Sequence, residues 1–590
     1  MTRYLTIDEI ENILDFIVPS LGIPEETAQM IVEKNKESYR VQLREQQVYP
    51  EIIPILKQKL EKSYITSQIQ PGESVGILCA QSIGEKNTQM TLNSVDWTEK
   101  LLYTKNGKAN IEPIGKFIDR VLEQDSVNIT LIEENRTQYL PLPDGYYIPS
   151  CDENGMCNWY KIEAVTKHLP IGKLVKVTTE SGRTVTATQS KSFLVWNGEN
   201  FANILGSDIK VGDALPTTYT LLKPETTQNY FDMESIFSKE KYLYTTELIK
   251  AREYKESGEF KWWKNHIGKD FILPYKRPDT CFGKRNEYFM NCKPGLMYIH
   301  TSNSFVSHIP DKIPLDNDFG FLIGIYLAEG WVTKTFIGIS NNDEVIRRRV
   351  INFCDRYGIT YHLVTSGGKN VRQGTSNDLK LHSTLLARMF KIICDTGSKN
   401  KKVPEFAYTA PKKFIEGLID GYFSGDGTVN KIDGSISVTS ISEDLIVGIS
   451  FLLSYFGIFG HMSNRQSLKN NIGSKNIKRT FIIRISNDFA KAFAREISMT
   501  ESRKQQKVNT ITLMKKYKYK HGRSQVDYPD RDVYFDKVVS VEYVEGTTEY
   551  VYDLTVEETR NFQLWNGLNC ADKLVLATGG CPYGKNSVTS

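Results

Sequence analysis

The spacing of apolar positions changes character twice along the chain. Up to about residue 93 it is helical. "TIDEIENILDFI" reads as a helix opened by Thr6 and Glu9 at capping-box spacing, and "LREQQVYPEIIPILKQKLEKSYI" carries apolar residues near helical period. "GESVGILCAQSIGEKNTQMTLN" is small, amphipathic and helix-like, and it stops in mid-phrase at Asn93. From Ser94 to about Leu222 the text turns to short alternating runs: "KNGK" breaks the first of them, and "SGR" and "NGEN" read as hairpin turns inside "KLVKVTTESGRTVTATQSKSFLVWNGENF". Residues 223–311 are aromatic and basic with weak period, and residues 312–500 mix helix and strand. After the basic stretch "KVNTITLMKKYKYKHGR", alternation returns in "VVSVEYVEGTTEYVYDLTVEETRNFQLWNGLN". One β domain therefore opens near 94, is interrupted, and closes near 572.

Composition adds exclusions. The chain has 590 residues, 40% of them hydrophobic and 24% charged, with a net charge of +4. That length predicts three or four domains, and the small net charge does not by itself argue for nucleic acid. No apolar run reaches the ~18 residues of a membrane span. The first residues lack the basic-apolar-small order of a signal peptide. Nine scattered cysteines, of which Cys151 and Cys157 are the closest pair, fit no zinc spacing. An intracellular, reducing compartment, cytoplasm or nucleus, is the expectation.

Two segments repeat each other. "FLIGIYLAEGWV" and "LIDGYFSGDGTV" both read as an apolar helix ending in acid-Gly, and aligning Glu329 with Asp426 also aligns Gly324 with Gly421. The spacing predicts a close helix pair, with the glycines at the approach and the two acids emerging side by side. Two carboxylates at one locus repel unless a divalent cation lies between them. Hard oxygen ligands suit Mg2+, which activates water and stabilises a leaving phosphate oxygen. The competing reading is two core helices that both happen to end in acid-Gly.

Both segments resemble the paired signature helices of LAGLIDADG homing endonucleases over residues 312–500, with "ISVTSISEDLIVGISFLLSYFGIFGHM" similar to the helix that follows. The resemblance implies that Glu329 and Asp426 are the metal-binding, catalytic acids. Lys402, in "KKVPEFAYTAPKKF", falls where members carried in inteins have a lysine near the cleavage centre. Double-stranded DNA is then the partner, with Lys261, Lys264, Arg277, Arg465 and Arg479 as expected contacts.

The flanking β text resembles an intein. "SVDWTEKLLYTKNGKANIEPIGKFID" is similar to the first block, "GRTVTATQSKSFLVW" to the second, and "VYDLTVEETRNFQLWNGLN" to the C-terminal blocks of the Hint protein-splicing fold. The resemblance implies that Ser94 attacks the Asn93 carbonyl, that Thr188 assists from the T-x-x-H position, and that Asp553 helps the second transfer. No cofactor is needed for splicing. Two positions depart from the family. Lys191 replaces the T-x-x-H histidine, and an ammonium accepts a proton only if its pKa is depressed. At the C-terminal end, "NGLNCAD" puts Ala571 on the family's histidine, Asp572 on its terminal asparagine and Lys573 on its next nucleophile. A junction after Asn569, with Cys570 as nucleophile, restores both chemistries but leaves the last block three residues short. Both junctions stay open, with Asp572 taken as the ancestral boundary.

"PGESVGILCAQSIGEKNTQMTLN" resembles the segment of the RNA polymerase largest subunit that enters the trigger loop, where the family text continues Thr-Phe-His. The resemblance implies other polymerase subunits as partners of the host fragment. The expected fold is multidomain: an all-β Hint horseshoe, interrupted by an α/β pseudo-two-fold endonuclease and preceded by a mainly helical polymerase fragment. The expected boundaries are a host fragment at 1–93, Hint parts at 94–222 and 531–572, an insert at 223–311, and the endonuclease at 312–500. A basic linker at 501–530 and a tail at 573–590 complete the chain. The expected function is protein splicing, impaired by the two departures, plus site-specific DNA cleavage. The alternatives are a non-catalytic polymerase subunit carrying a degenerate insertion and a nuclease on a degenerate β scaffold.

Overall fold

The computed structural model describes residues 3–18, 25–44, 47–49, 52–67, 93–132, 136–190, 192–224, 228–233, 243–245, 296–299, 309–310, 312–366, 376–467, 478–513 and 531–572. The chain divides into two compact units, Met1–Met90 and Thr91–Ser590. In the first unit, helices Ile7–Ile13, Glu25–Arg44 and Ile53–Ser67 surround a small core containing Ile10, Ile13, Leu14 and Leu43. The capping box forms as its spacing predicts. The Glu9 amide donates to Thr6 Oγ1 at 3.4 Å, and the Thr6 amide donates to Glu9 Oε2 at 2.9 Å. The helix expected over 72–92 lies outside the described residues.

In the second unit the alternating text folds as strands. Lys100–Lys105 and Lys108–Pro113 form a hairpin whose turn residues Asn106 and Gly107 have φ of 50° and 75°. Left-handed turns of this kind match strand twist, and Asn-Gly supplies them with little strain. The "SGR" and "NGEN" hairpins pair Leu174–Thr179 with Thr184–Ala187 and Phe193–Trp196 with Phe201–Ile204. The closing segment completes the same sheets. Val533–Val544 pairs with both Ala214–Thr218 and Leu174–Thr179, and Val551–Val556 pairs with Cys157–His168. Asn569–Ala571 pairs with Asn561–Gln563 and touches Phe193.

The interrupting segment contains two similar α/β halves. Helix Asn317–Glu329 packs on helix Lys412–Asp426, and each is followed by a four-stranded antiparallel sheet. A Cβ on Gly324 would stand 2.1 Å from the Leu418 carbonyl oxygen, and one on Gly421 would stand 2.4 Å from that of Phe321. Any side chain there would force the backbones apart. Arg183, at the tip of the hairpin of residues 174–187, fastens the two regions together. Its buried guanidinium donates to the Asn566 carbonyl (2.7 Å), the Gly460 carbonyl (3.2 Å) and Ser450 Oγ (3.1 Å). It also lies 4.5 Å from the centre of the Phe459 ring. Of the insert 223–311, strand Tyr230–Asp232 pairs with Lys312–Pro314, and most of the remainder lies outside the described residues.

Candidate active sites

Ser94 is buried where three strands converge. Val95 bridges to both Ala187 and Tyr552, so the segment is held between the second block and the closing segment. Its hydroxyl touches the Asn93 carbonyl oxygen and lies 2.6 Å from His168 Nε2. The other ring nitrogen, His168 Nδ1, is 2.8 Å from the Leu169 carbonyl. The Thr188 amide donates to the Ser94 carbonyl at 2.8 Å, and the Ser94 amide donates to Ser192 Oγ at 3.2 Å. Ser192 Oγ in turn lies 2.8 Å from Thr188 Oγ1. Lys191 falls outside the described residues.

The C-terminal end arrives at the same place. Asn93 Nδ2 donates to the Asp572 carbonyl oxygen at 3.0 Å, across 479 residues of chain. The Asp572 carboxylate accepts from the Val556 amide through Oδ2, while Oδ1 is buried without a hydrogen-bond partner. Burial pushes this carboxyl up to about 7. Asn569, three residues earlier, points elsewhere: its Nδ2 donates to the Pro216 carbonyl at 3.2 Å and to Thr218 Oγ1 at 3.0 Å. Cys570 pairs with Phe193 and Phe562 in the ladders, and burial, with Glu99 and Asp553 nearby, raises its thiol far above the ordinary value. Asp553 pairs with Thr166 in the ladder that pairs His168 with Val551, so Asp553, Thr166 and His168 share one sheet face. Thr166 Oγ1 is buried and unsatisfied there.

The second candidate centre lies where the two close-packed helices end. Burial pushes the Glu329 carboxyl above its usual range, against a hydrogen bond of 2.5 Å from Asn341 Nδ2. Asp426 is open to solvent along one side. Even so, burial of its carboxyl, with Glu329 facing it, pushes it up to about 6. Two lysines close the arrangement in matching fashion. Lys401 Nζ donates to the carbonyls of Tyr326 (2.6 Å), Leu327 (3.1 Å) and Gly330 (2.7 Å). Lys504 Nζ donates to those of Phe423 (3.2 Å), Ser424 (2.5 Å) and Gly425 (2.6 Å). Each ammonium thus caps the negative end of one helix dipole beside one acid. Burial lowers Lys401 to about 8 and lowers Lys504 as well, both opposed by the two carboxylates. This corrects the reading of Lys402. Its amide bonds the Cys394 carbonyl, and the residue lines a cavity of about 610 Å³ with Glu405 and Phe406, while its neighbour Lys401 caps the end of the helix that carries Glu329.

Of the expected DNA contacts, Lys261, Lys264 and Arg277 lie outside the described residues. Arg465 and Arg479 are exposed on adjacent strands, but they do not share a surface. Arg465 pairs with Thr480, and Arg479 pairs with Gln466. The alternation therefore puts Arg479 on the side of buried Ile483 and Ile485, and Arg465 with Arg484 on the open side. The open side of the partner sheet carries Trp331, His382 and Lys380, the last with its ammonium 5.4 Å from the Phe336 ring centre.

Sequence reasoning missed His168, Ser192, Lys401 and Lys504. The available signals were a histidine ending a long alternating run, and "KNKK" and "SRKQQK" at similar distances beyond the two acids.

Comparison with known proteins gives three kinds of match. Residues 109–569 match the family model described as "Intein splicing domain". The DNA-directed RNA polymerase subunit Rpo1C of Methanocaldococcus jannaschii is 28% identical over 570 residues, covering 86% of this chain and 58% of that protein. A DNA polymerase of Thermococcus sp. is 23% identical, covering 82% of this chain and 31% of its own length. The chain thus spans well under two thirds of the curated relatives it matches. Among solved structures, a transcription factor IIB mini-intein aligns at 21% identity with TM-score 0.21, covering 22% of this chain and 72% of that one. I-DmoI in complex with DNA and Ca aligns at 13% identity with TM-score 0.24, covering 31% and 90%.

Proposed function

The chain belongs to the intein splicing family, and from that premise we propose that Ser94 to Asp572 is an intein carrying a LAGLIDADG-type endonuclease, inserted in an RNA polymerase subunit. The observation that carries the splicing reading is the meeting of the two ends of the segment. The Asn93 side chain bonds the Asp572 carbonyl, and the Ser94 hydroxyl touches the Asn93 carbonyl. In the first step Ser94 Oγ bonds to the Asn93 carbonyl carbon, the Asn93–Ser94 C–N bond breaks, and the freed α-amine takes a proton. The anchoring of Ser94 by the Thr188 amide and by Ser192 holds the nucleophile against this bond. Asp553, which shares the sheet face with His168, is the proposed helper of the later transfer. Asp572 is the favoured boundary, since Asn569 is bonded away from Ser94. Asp572 has no amide nitrogen with which to close an imide, and Lys573 has no hydroxyl or thiol to receive the acyl group. The chain therefore forms the ester and either reverts or loses its N-terminal segment. Intact-mass measurement with hydroxylamine tests this. Cleavage after Asn93 is expected in the wild type and not in Ser94→Ala, and equal cleavage in both would overturn the reading.

The endonuclease reading rests on the carboxylate pair. Glu329 and Asp426 fit a divalent cation such as Mg2+. They are hard oxygen donors, held together by glycine-spaced helices and raised in pKa by burial and, at Asp426, by the facing Glu329. A bound cation would polarise the scissile phosphate and its attacking water. Lys401 and Lys504 fix the helix ends that aim the acids and lend positive charge to a phosphate between them. The open sheet faces, with Arg465 and Arg484 on one and Lys380 on the other, are the proposed double-stranded DNA surface. Incubation with Mg2+ and DNA encoding the uninterrupted "TQMTLN-TFH" junction is expected to give a double-strand cut.

A further inference from the structure

Resting on the splicing reading above, we infer that His168 is the catalytic base of the first acyl shift, taking the part that Lys191 vacates in the second block. The tautomer is set by chemistry alone. A carbonyl oxygen only accepts, so the 2.8 Å contact with the Leu169 carbonyl puts the ring proton on Nδ1. That leaves a bare lone pair on Nε2, which lies 2.6 Å from Ser94 Oγ. The single hydroxyl proton of Ser94 therefore has two acceptors in reach, its own reacting carbonyl and the imidazole. Only transfer to the imidazole generates a nucleophile.

The balance closes without another reagent. Oγ gives its proton to Nε2 as it bonds to the Asn93 carbon, and the imidazolium then carries one proton more. The Asn93–Ser94 C–N bond breaks, the leaving nitrogen takes that proton, and His168 returns to its starting tautomer. The nitrogen already donates to Ser192 Oγ, which fixes the direction in which its lone pair develops. The placement of His168 is also over-determined. It ends a twelve-residue strand, its ladder partner Val551 begins the closing strand, and Tyr552 next to Val551 bridges Val95 beside the nucleophile. The closing strand thus adds to the hold that Ala187 and Thr188 already have on the nucleophile's segment, and brings base and nucleophile into one register.

The test is the rate of hydroxylamine cleavage after Asn93 in the full chain, read by intact mass. His168→Ala is expected to slow it by about 100-fold or more, the scale of general acid–base assistance. His168→Gln keeps a polar side chain but cannot take the proton, and it is expected to be as slow. Added imidazole should restore part of the rate in His168→Ala and none in Ser94→Ala. A Ser94→Cys background should shrink the His168→Ala effect, because a thiol ionises without help far more readily than a hydroxyl. His168→Gln cleaving at the wild-type rate would overturn the inference while leaving the splicing reading standing. So would loss of cleavage in Lys191→Ala with His168→Ala unaffected. No cleavage after Asn93 in the wild type would overturn the splicing reading, and this inference with it.

Discussion

The two candidate centres of the second unit handle charge in opposite ways. Around Ser94 the groups facing the bond are a hydroxyl, an imidazole, an amide and two further hydroxyls, joined in a chain of hydrogen bonds. At the helix ends two carboxylates face each other with two ammonium groups close by, and all four groups are displaced from their ordinary protonation behaviour. The difference follows from where the substrate is. The first centre, on the proposed reading, acts on a bond of its own chain, so that bond is already in place among the hydroxyls and the imidazole that would serve it. The second, on the proposed reading, acts on a molecule that comes and goes, so its charged groups balance one another until a cation and a phosphate arrive.

The largest expected effect breaks the charged side of this comparison. Glu329→Ala or Asp426→Ala should reduce DNA cleavage by about 10³-fold or more, because each would remove a proposed ligand of the cation that stabilises the transition state. DNA binding, measured by gel shift, should survive. A double variant that cuts at the wild-type rate would end the assignment.

A structural substitution comes next. Gly324→Val would drive a side chain into the Leu418 carbonyl and should lower stability by roughly 3 kcal/mol, read from chemical denaturation. Cleavage should fall with it, while hydroxylamine cleavage after Asn93 survives wherever the splicing half stays folded.

The neutral side can be sharpened at Glu99, a buried acid beside the nucleophile's strand. Burial raises its carboxyl from 4.5 to about 7, even though it accepts from the Thr186 amide at 2.8 Å. Its folded pKa lies above its unfolded one, so the wild type is favoured below pH 4.5 and loses that advantage as pH rises through 7. Glu99→Gln should therefore match the wild type at pH 4 and exceed it at pH 8, by about 2 kcal/mol in denaturation. Equal pH profiles would place the charge elsewhere. The smallest effect is on the proposed DNA surface. Arg465→Ala should reduce the salt slope of binding by about 1, with Arg479→Ala doing less because it lies on the opposite side of the sheet.

The sequence made legible what depends on neighbours within a few residues. The capping box at Thr6, the Asn106-Gly107 turn and the helix glycines all formed as their spacing implied, because a turn or a helix contact carries its own geometry. The nested β layout was legible too, since the alternation breaks off and resumes. His168 was not, being 74 residues from Ser94 and brought there by ladder pairing that no local period encodes. Lys401 and Lys402 illustrate a finer limit. Both sit in one run of lysines, and the loop geometry that turns one onto the helix-end carbonyls is invisible in their spacing. The C-terminal junction was ambiguous in sequence for a similar reason: a strand of three residues, Asn569–Ala571, decides which side chain faces which wall.

Thr218 and Val533 are directly opposed partners in an antiparallel ladder, although 314 residues of interrupting chain separate them. The interrupting segment thus enters and leaves through a gap no wider than one strand spacing, about 5 Å. A hairpin turn of two to five residues spans that gap, so the whole interrupting segment is detachable in a topological sense. Its gain or loss need not re-register a single strand of the fold that holds Ser94. Removal would strip Arg183 of its Gly460 and Ser450 partners and of the Phe459 ring, Lys100 of Asp444, and the Ser181 carbonyl of the Met462 amide. A trimmed version of this protein would therefore gain from residues content to face water at these positions, Arg183 being more deeply buried than Lys100.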